Sequence, residues 1–174
     1  MFSLQNIKAV AYDFDETLCC NAQRTCTPDI IHRDVAILCG EDPWHDCLAP
    51  WFIRTFVHAV HTTEAMQRDC EIPAALVSAV FTSIETQGKS SWVKKNYDLH
   101  MLDLCVGLAE DHRVVAARKL SSLRTLCEHL DLEPENVLLV DDYWGTLVEA
   151  GKAGFVAATP IEVACWVDRY VGFK

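Results

Sequence analysis

Two hydrophobic rhythms alternate along this chain. Strand-like, mostly apolar runs fall at 7–14, 75–83, 102–108, 136–142 and 155–158, with unbroken stretches at 9–12 and 137–140. Runs without polar alternation fit strands buried on both faces of a parallel sheet. Between them, apolar residues recur at helical spacing. Thr27-Pro28-Asp29 marks a helix start, with Thr as N-cap and Pro at the first helical position. That helix is expected to run to Leu38 and stop near Gly40. Asp42-Pro43 restarts helical character, and 51–68 is amphipathic enough for a long helix. A short helix is predicted over 90–97 and another over 119–130, where Leu120, Leu123, Leu126, Cys127 and Leu130 follow i, i+3, i+4 spacing. Pro134 ends that region. Residues 144–152 read as helix, stopping near Gly151 or Gly154, and 160–170 read as a closing helix. Strands alternating with helices predict right-handed βαβ units, hence a doubly wound, Rossmann-like parallel sheet flanked by helices.

Two of the strand-like runs end in acid. The first delivers Asp13 and Asp15, two residues apart, and side chains two apart on a strand point the same way. Phe14 between them is expected to pack on the other side. The fourth run ends in Asp141-Asp142. Ligands of open parallel sheets bind beyond the carboxyl ends of the strands, so both acidic pairs are expected at one edge. Carboxylates crowded there repel one another unless a cation lies between them, and all-oxygen ligation suits Mg²⁺.

Asp13-Phe14-Asp15-Glu16-Thr17 resembles the first motif of the haloacid dehalogenase-like superfamily, Asp-x-Asp-x-Thr after the first strand. Val140-Asp141-Asp142 is similar to its fourth motif. Lys119, 22 residues before Asp141, matches the third at a distance that resembles the superfamily's magnesium-dependent phosphatases. The second motif is a Ser or Thr ending the second core strand, which the run at 75–83 supplies as Thr82 or Ser83. The resemblance covers about residues 7–160.

The resemblance implies a phosphomonoester hydrolase working through an aspartyl-phosphate. Asp13 would be the nucleophile and Asp15 the general acid and base. Mg²⁺ would be held by Asp13, Asp141 and the Asp15 carbonyl. Asp142 would be a direct or outer ligand, or would orient Lys119. Lys119 and Thr82 or Ser83 would bind the phosphoryl oxygens, with Arg118 as a neighbouring competitor for the Lys119 role. Thr17 would fix the turn that presents Asp15. Many relatives carry an Asp where this chain has Gly145. The superfamily's dehalogenases lack a carboxylate at the position of Asp15, which argues against dehalogenation. The other classes weighed are a phosphotransferase or mutase and a catalytically silent interaction protein of the same fold.

Length and composition fit this reading. A chain of 174 residues makes one domain, and 20–51 is longer than a simple connection; the resemblance implies a small helical cap inserted there, after the first strand. The cap segment is acidic, with Arg24 and Arg33 among its few cations, which makes them candidate substrate contacts. The net charge of −10 argues against nucleic-acid or anionic-membrane surfaces. The N-terminus lacks a signal-peptide plan, and no run has the length of a membrane span. The nine cysteines are odd in number and irregularly spaced, and none falls in a Cys-x-x-Cys pair. They read as reduced thiols of a cytoplasmic protein; adjacent Cys19 and Cys20 cannot readily pair with each other and are candidates for a redox-sensitive thiol just after the acidic loop. His58 and His61 share a helix face and read as packing residues rather than zinc ligands. The expected partner is a phosphorylated small molecule or a phosphoprotein.

Overall fold

A computed structural model describes residues 6–20, 30–44, 47–61 and 72–170. The element order is β1 (Ala9–Tyr12), α1 (Ile30–Leu38), α2 (Trp51–His61), β2 (Ala74–Leu76), β3 (Ala79–Val80), α3 (Ser83–Tyr97), β4 (Leu102–Asp103), β5 (Val106–Gly107), α4 (His112–Leu130), β6 (Val137–Val140), α5 (Trp144–Lys152), β7 (Val156–Ala158) and α6 (Pro160–Tyr170). Five strands form one parallel sheet in the order β4-β2-β1-β6-β7. This is the expected flanked, doubly wound architecture.

In β1 and β6 the apolar runs are explained by burial on both faces, whereas β4, at the sheet edge, is exposed. All four residues of β1 and of β6 are buried. Val10, Tyr12, Leu138 and Val140 face a core that includes Phe56, Trp92 and Val163, from α2, α3 and α6. Ala9, Ala11, Val137 and Leu139 face Leu123, Leu126 and Leu147, from α4 and α5. Phe14 lies in the first core, with its ring edge-on to Trp44 at 5.3 Å and Trp92 at 5.2 Å.

Four elements differ from expectation. The run at 75–83 is not one strand: β2 stops at Leu76, and β3 pairs separately with β5. The run at 102–108 breaks opposite it into β4 and β5. Leu104 N to Leu76 O (3.0 Å) and Val106 N to Ser78 O (2.9 Å) carry the hydrogen bonding across both breaks. The helix expected at 90–97 begins at Ser83, because Thr82-Ser83-Ile84-Glu85 is a capping sequence. The helix expected from Lys119 begins at His112, where Asp111 accepts from Arg113 N at 2.9 Å. Residues 21–29, which include the Thr27-Pro28 start, and 62–70, the expected continuation of α2, lie outside the described residues. No described helix is long and apolar enough to cross a membrane.

Candidate active site

β1 lies where the strand order reverses. The chain winds outward from β1 through β2 to β4, then returns to β6 on the other side of β1. The crevice beyond the carboxyl ends of β1 and β6 is where this sheet class binds ligands. Asp13 follows β1 there and Asp141 follows β6, joined by Asp13 N to Val140 O at 2.9 Å. After Asp13 the chain turns tightly. Leu18 N and Cys19 N both donate to Phe14 O, and Glu16 N donates to Cys19 O. Glu16 has φ of +56°, a costly conformation for a residue with a Cβ and of a kind that gathers at functional sites. Backbone bonds hold this turn. The buried Thr17 hydroxyl, expected to fix it, has no hydrogen-bond partner among the described residues.

Asp13 is buried and Asp141 fully so. Lys119 Nζ stands 3.1 Å from Asp13 Oδ2 and 2.7 Å from Asp141 Oδ2. α4 delivers it from mid-helix, on the stripe that buries Val115, Ala116, Leu123 and Leu126. Arg118, one residue earlier, points elsewhere and donates to Gly107 O at 2.7 Å. Asp141 Oδ1 accepts from Tyr143 N at 2.8 Å. Asp142 is exposed, and carboxylate oxygens of Asp13, Asp141 and Asp142 lie within 4.8 Å of one another. Asp13 Oδ1 is buried with no hydrogen-bond partner among the described residues. No other described set of acidic, His or Cys side chains converges in this way.

A second charged group adjoins the first. Lys89, on α3 and fully buried, places Nζ 2.7 Å from Asp15 Oδ2, 3.1 Å from Ser78 Oγ and 3.1 Å from Ala79 O. Burial pulls the Lys89 pKa down, but Asp15 and Glu85 outweigh it, and the net shift is upward. Glu85 Oε1 accepts from Arg33 at 2.7 Å, and Glu85 Oε2 from Phe81 N at 2.8 Å. α1 brings Arg33 there by docking over Gly88. A Cβ at Gly88 would stand 2.6 Å from Ile37 Cδ1 and 2.8 Å from Trp44 Cζ3, so any larger residue would force these side chains to shift.

Asp13, Asp15, Lys119, Arg33, Ser78, Phe81, His112 and Tyr143 are among the residues lining one cavity of about 320 Å³. Thr82 and Ser83 do not line it. The Thr82 hydroxyl caps α3, accepting from Glu85 N at 3.1 Å and donating to Asp34 at 2.8 Å. The hydroxyl beyond β2 at this cavity is that of Ser78. Thr82-x-x-Glu85 was the signal that separates the cap from the site. Lys89 carried a weaker one, an i+4 spacing from Glu85 that also fits an exposed pair. A Cβ at Gly145 would meet the Tyr143 ring at 2.6 Å, so an Asp there is incompatible with this ring position. Arg24 lies outside the described residues.

Other expectations resolve simply. None of the described cysteines forms a disulfide, and burial pushes the Cys19 thiol well above its ordinary pKa, which disfavours the reactive thiolate. His61 is a half-buried packing residue, 2.9 Å from Tyr12 Oη and 2.8 Å from Ile72 O, with its pKa lowered to about 4 by burial.

The two groups differ in charge balance. Asp15 and Glu85 are matched by Lys89 and Arg33. Asp13, Asp141 and Asp142 face Lys119 alone, which leaves two negative charges over. A divalent cation fits that deficit and the unpartnered Asp13 Oδ1. The strain is visible in the acids themselves. Burial, then the charge of Asp13, pushes Asp141 from 3.8 up to about 6 despite Lys119. Partial burial of its carboxylate and the charges of Asp13 and Asp141 push Asp142 to about 6 as well.

A pH dependence follows. Between 3.8 and about 6 the folded protein holds a proton on Asp141 that the unfolded chain releases. Stability of the metal-free protein therefore falls as pH rises through this window. A cation at this site would compete with those protons, so if the cluster holds one, added Mg²⁺ is expected to raise the melting temperature more at pH 7.5 than at pH 5. Thermal denaturation with and without Mg²⁺ at the two pH values measures this. An equal or larger rise at pH 5 would contradict it.

No family model and no curated protein matches the sequence. Solved structures do match the fold. The cobalt-bound deoxy-D-mannose-octulosonate 8-phosphate phosphatase of Haemophilus influenzae is 16% identical, with a TM-score of 0.53 over 97% of this chain and 77% of that one. An uncharacterized protein of Corynebacterium glutamicum is 13% identical, with a TM-score of 0.53 over 97% of each chain. A subfamily IA hydrolase of the haloacid dehalogenase superfamily from Geobacter sulfurreducens is 14% identical, with a TM-score of 0.51 over 87% of this chain and 88% of that one. The chain thus has the α/β fold of haloacid dehalogenase-like hydrolases.

Proposed function

We propose that this protein is a Mg²⁺-dependent phosphomonoester hydrolase that works through an aspartyl-phosphate on Asp13. The observation that carries the reading is the cluster of buried Asp13 and Asp141 with exposed Asp142, with one lysine and an unpartnered Asp13 Oδ1 at the reversal point of the sheet. Asp13, Asp141 and Asp142 would hold the ion together with the Asp15 carbonyl. When bound, Mg²⁺ supplies positive charge that lowers the repulsion between carboxylate and phosphate.

The rest is done by the chain. Asp13 attacks phosphorus, and the bond to the leaving oxygen breaks. Asp15, whose side chain is partly open to solvent, takes up a proton from water before the step, and as the carboxylic acid gives it to that oxygen. Water then attacks the phosphorus of the aspartyl-phosphate, its proton returns to Asp15, and Asp13 leaves as carboxylate. Lys119 uses two of its three N–H donors on Asp13 and Asp141, so the third is available to a phosphoryl oxygen. Ser78 accepts from Lys89, which leaves its own proton to donate into the cavity. It takes the phosphate-binding role assigned from sequence to Thr82 or Ser83. Residues 20–51 act as a small cap, with α1 setting one cavity wall through Arg33. The substrate is a phosphorylated small molecule or phosphoprotein rather than a nucleic acid or a membrane, and the compartment is the reducing cytoplasm.

The test is turnover of 4-nitrophenyl phosphate with Mg²⁺ and with excess chelator. The reading expects activity that chelation abolishes and Mg²⁺ restores. Undiminished activity in chelator would refute the metal assignment.

A further inference from the structure

We propose that Lys89 is a positioning residue that acts through Asp15, holding its carboxylate where it protonates the leaving oxygen, and that it does not bind the phosphate itself. The inference rests on the phosphatase reading above.

An ammonium has three N–H donors. Those of Lys89 are matched by Asp15 Oδ2 at 2.7 Å, Ser78 Oγ at 3.1 Å and Ala79 O at 3.1 Å. Nothing is left over for a substrate oxygen. The side chain is sealed from solvent and does not line the cavity. It lies over the face of Phe14, 5.0 Å from the ring centroid, so the residue between the two acids also helps fix its position. Lys119 stands differently, at the cavity wall with a donor to spare.

The three contacts join separate pieces of chain. Asp15 sits on the tight turn after β1, while Ser78 and Ala79 lie at the break between β2 and β3. Glu85, 3.5 Å from Lys89 Nζ and itself held by Arg33, balances the remaining charge. Lys89 therefore fixes the distance between the proton donor and the wall of the phosphate site. An acid displaced by about 1 Å loses rate on the order of 10²-fold, and only where the leaving oxygen needs its proton.

That last condition supplies the test. kcat/KM reports steps up to phosphoryl transfer to Asp13, before the intermediate is hydrolysed. It is measured for unsubstituted protein, Lys89→Met, Asp15→Asn and the double variant, across aryl phosphates from 4-nitrophenyl to 4-methylphenyl. 4-Nitrophenolate departs without a proton, whereas 4-methylphenolate departs poorly without one. Lys89→Met is expected to lose about three-fold or less on the first and roughly 10²-fold on the second, steepening the leaving-group dependence as Asp15→Asn does. The double variant is expected to lose no more than Asp15→Asn alone, because both act on one proton transfer. Lys89→Gln, uncharged and one bond shorter so that it cannot hold all three contacts, repeats the series with the same selective loss expected should the methionine variant fail to fold. Equal losses across the series, or losses that multiply in the double variant, would overturn the inference and leave phosphatase activity standing. No turnover by the unsubstituted protein would overturn the phosphatase reading and the inference with it.

Discussion

Asp13→Asn is expected to reduce turnover of any phosphomonoester by about 10⁴-fold or more, the scale on which loss of a nucleophile registers. An amide is close in shape to a carboxylate but is a poor nucleophile. The loss is expected in kcat with little change in KM, since Lys119 and Ser78 still face the phosphoryl group. Folding is expected to survive. Asp13 raises the pKa of Asp141, so removing its charge relieves a like-charge contact while Lys119 keeps its 2.7 Å partner. The metal-free variant should melt no lower than the parent. A variant that keeps a tenth of the parental kcat would remove Asp13 from the nucleophile role.

The second large effect falls on Lys119→Met. Its ammonium is the only cation in direct contact with Asp13 and Asp141 among the described residues, and all three side chains are buried. Burial alone would lower its pKa, yet the two acids raise it well above the ordinary value, so it stays charged at any working pH. Removing one partner from a buried ionic group costs about 3–5 kcal/mol. For a domain of this size that is a fall of roughly 10 °C in melting temperature in chelator. Mg²⁺ is expected to restore part of the loss by taking over the charge. Turnover is expected to fall by about 10³-fold even with Mg²⁺, because the ammonium also meets the developing phosphoryl charge. Unchanged melting in chelator, or activity within ten-fold of the parent, would contradict this placement.

The sheet was legible because its strands are short, apolar and buried on both faces, so Ala9–Tyr12 and Val137–Val140 stand out from any amphipathic helix. The acids at their ends were legible for a topological reason: parallel strands put their carboxyl ends on one edge. The second run was misread because burial hides a break. Val77 and Ser78 are as buried as the strand before them, and only the backbone shows that β2 has ended. Thr82 was then taken for a strand-end hydroxyl although its spacing to Glu85 marks a helix cap. Lys89 could not be placed from its own sequence. Its three contacts join segments 11 and 74 residues away, and long-range pairing of that kind leaves no local periodicity. The charge of Arg33 suggested a cap contact with substrate. In the fold it lines the cavity while bonded to Glu85, a pairing that depends on the approach of α1 to Gly88.

The most direct test of the central claim is the chemical identity of the intermediate. The protein is mixed with 4-nitrophenyl phosphate and Mg²⁺, quenched in acid within the first turnovers, and mapped by peptide mass spectrometry. The account predicts a phosphoryl group on the peptide containing Asp13, labile to hydroxylamine as an acyl phosphate is, and missing from Asp13→Asn. Steady turnover with no acyl phosphate, or a phosphoryl group carried by Asp15 or any other residue, would contradict it.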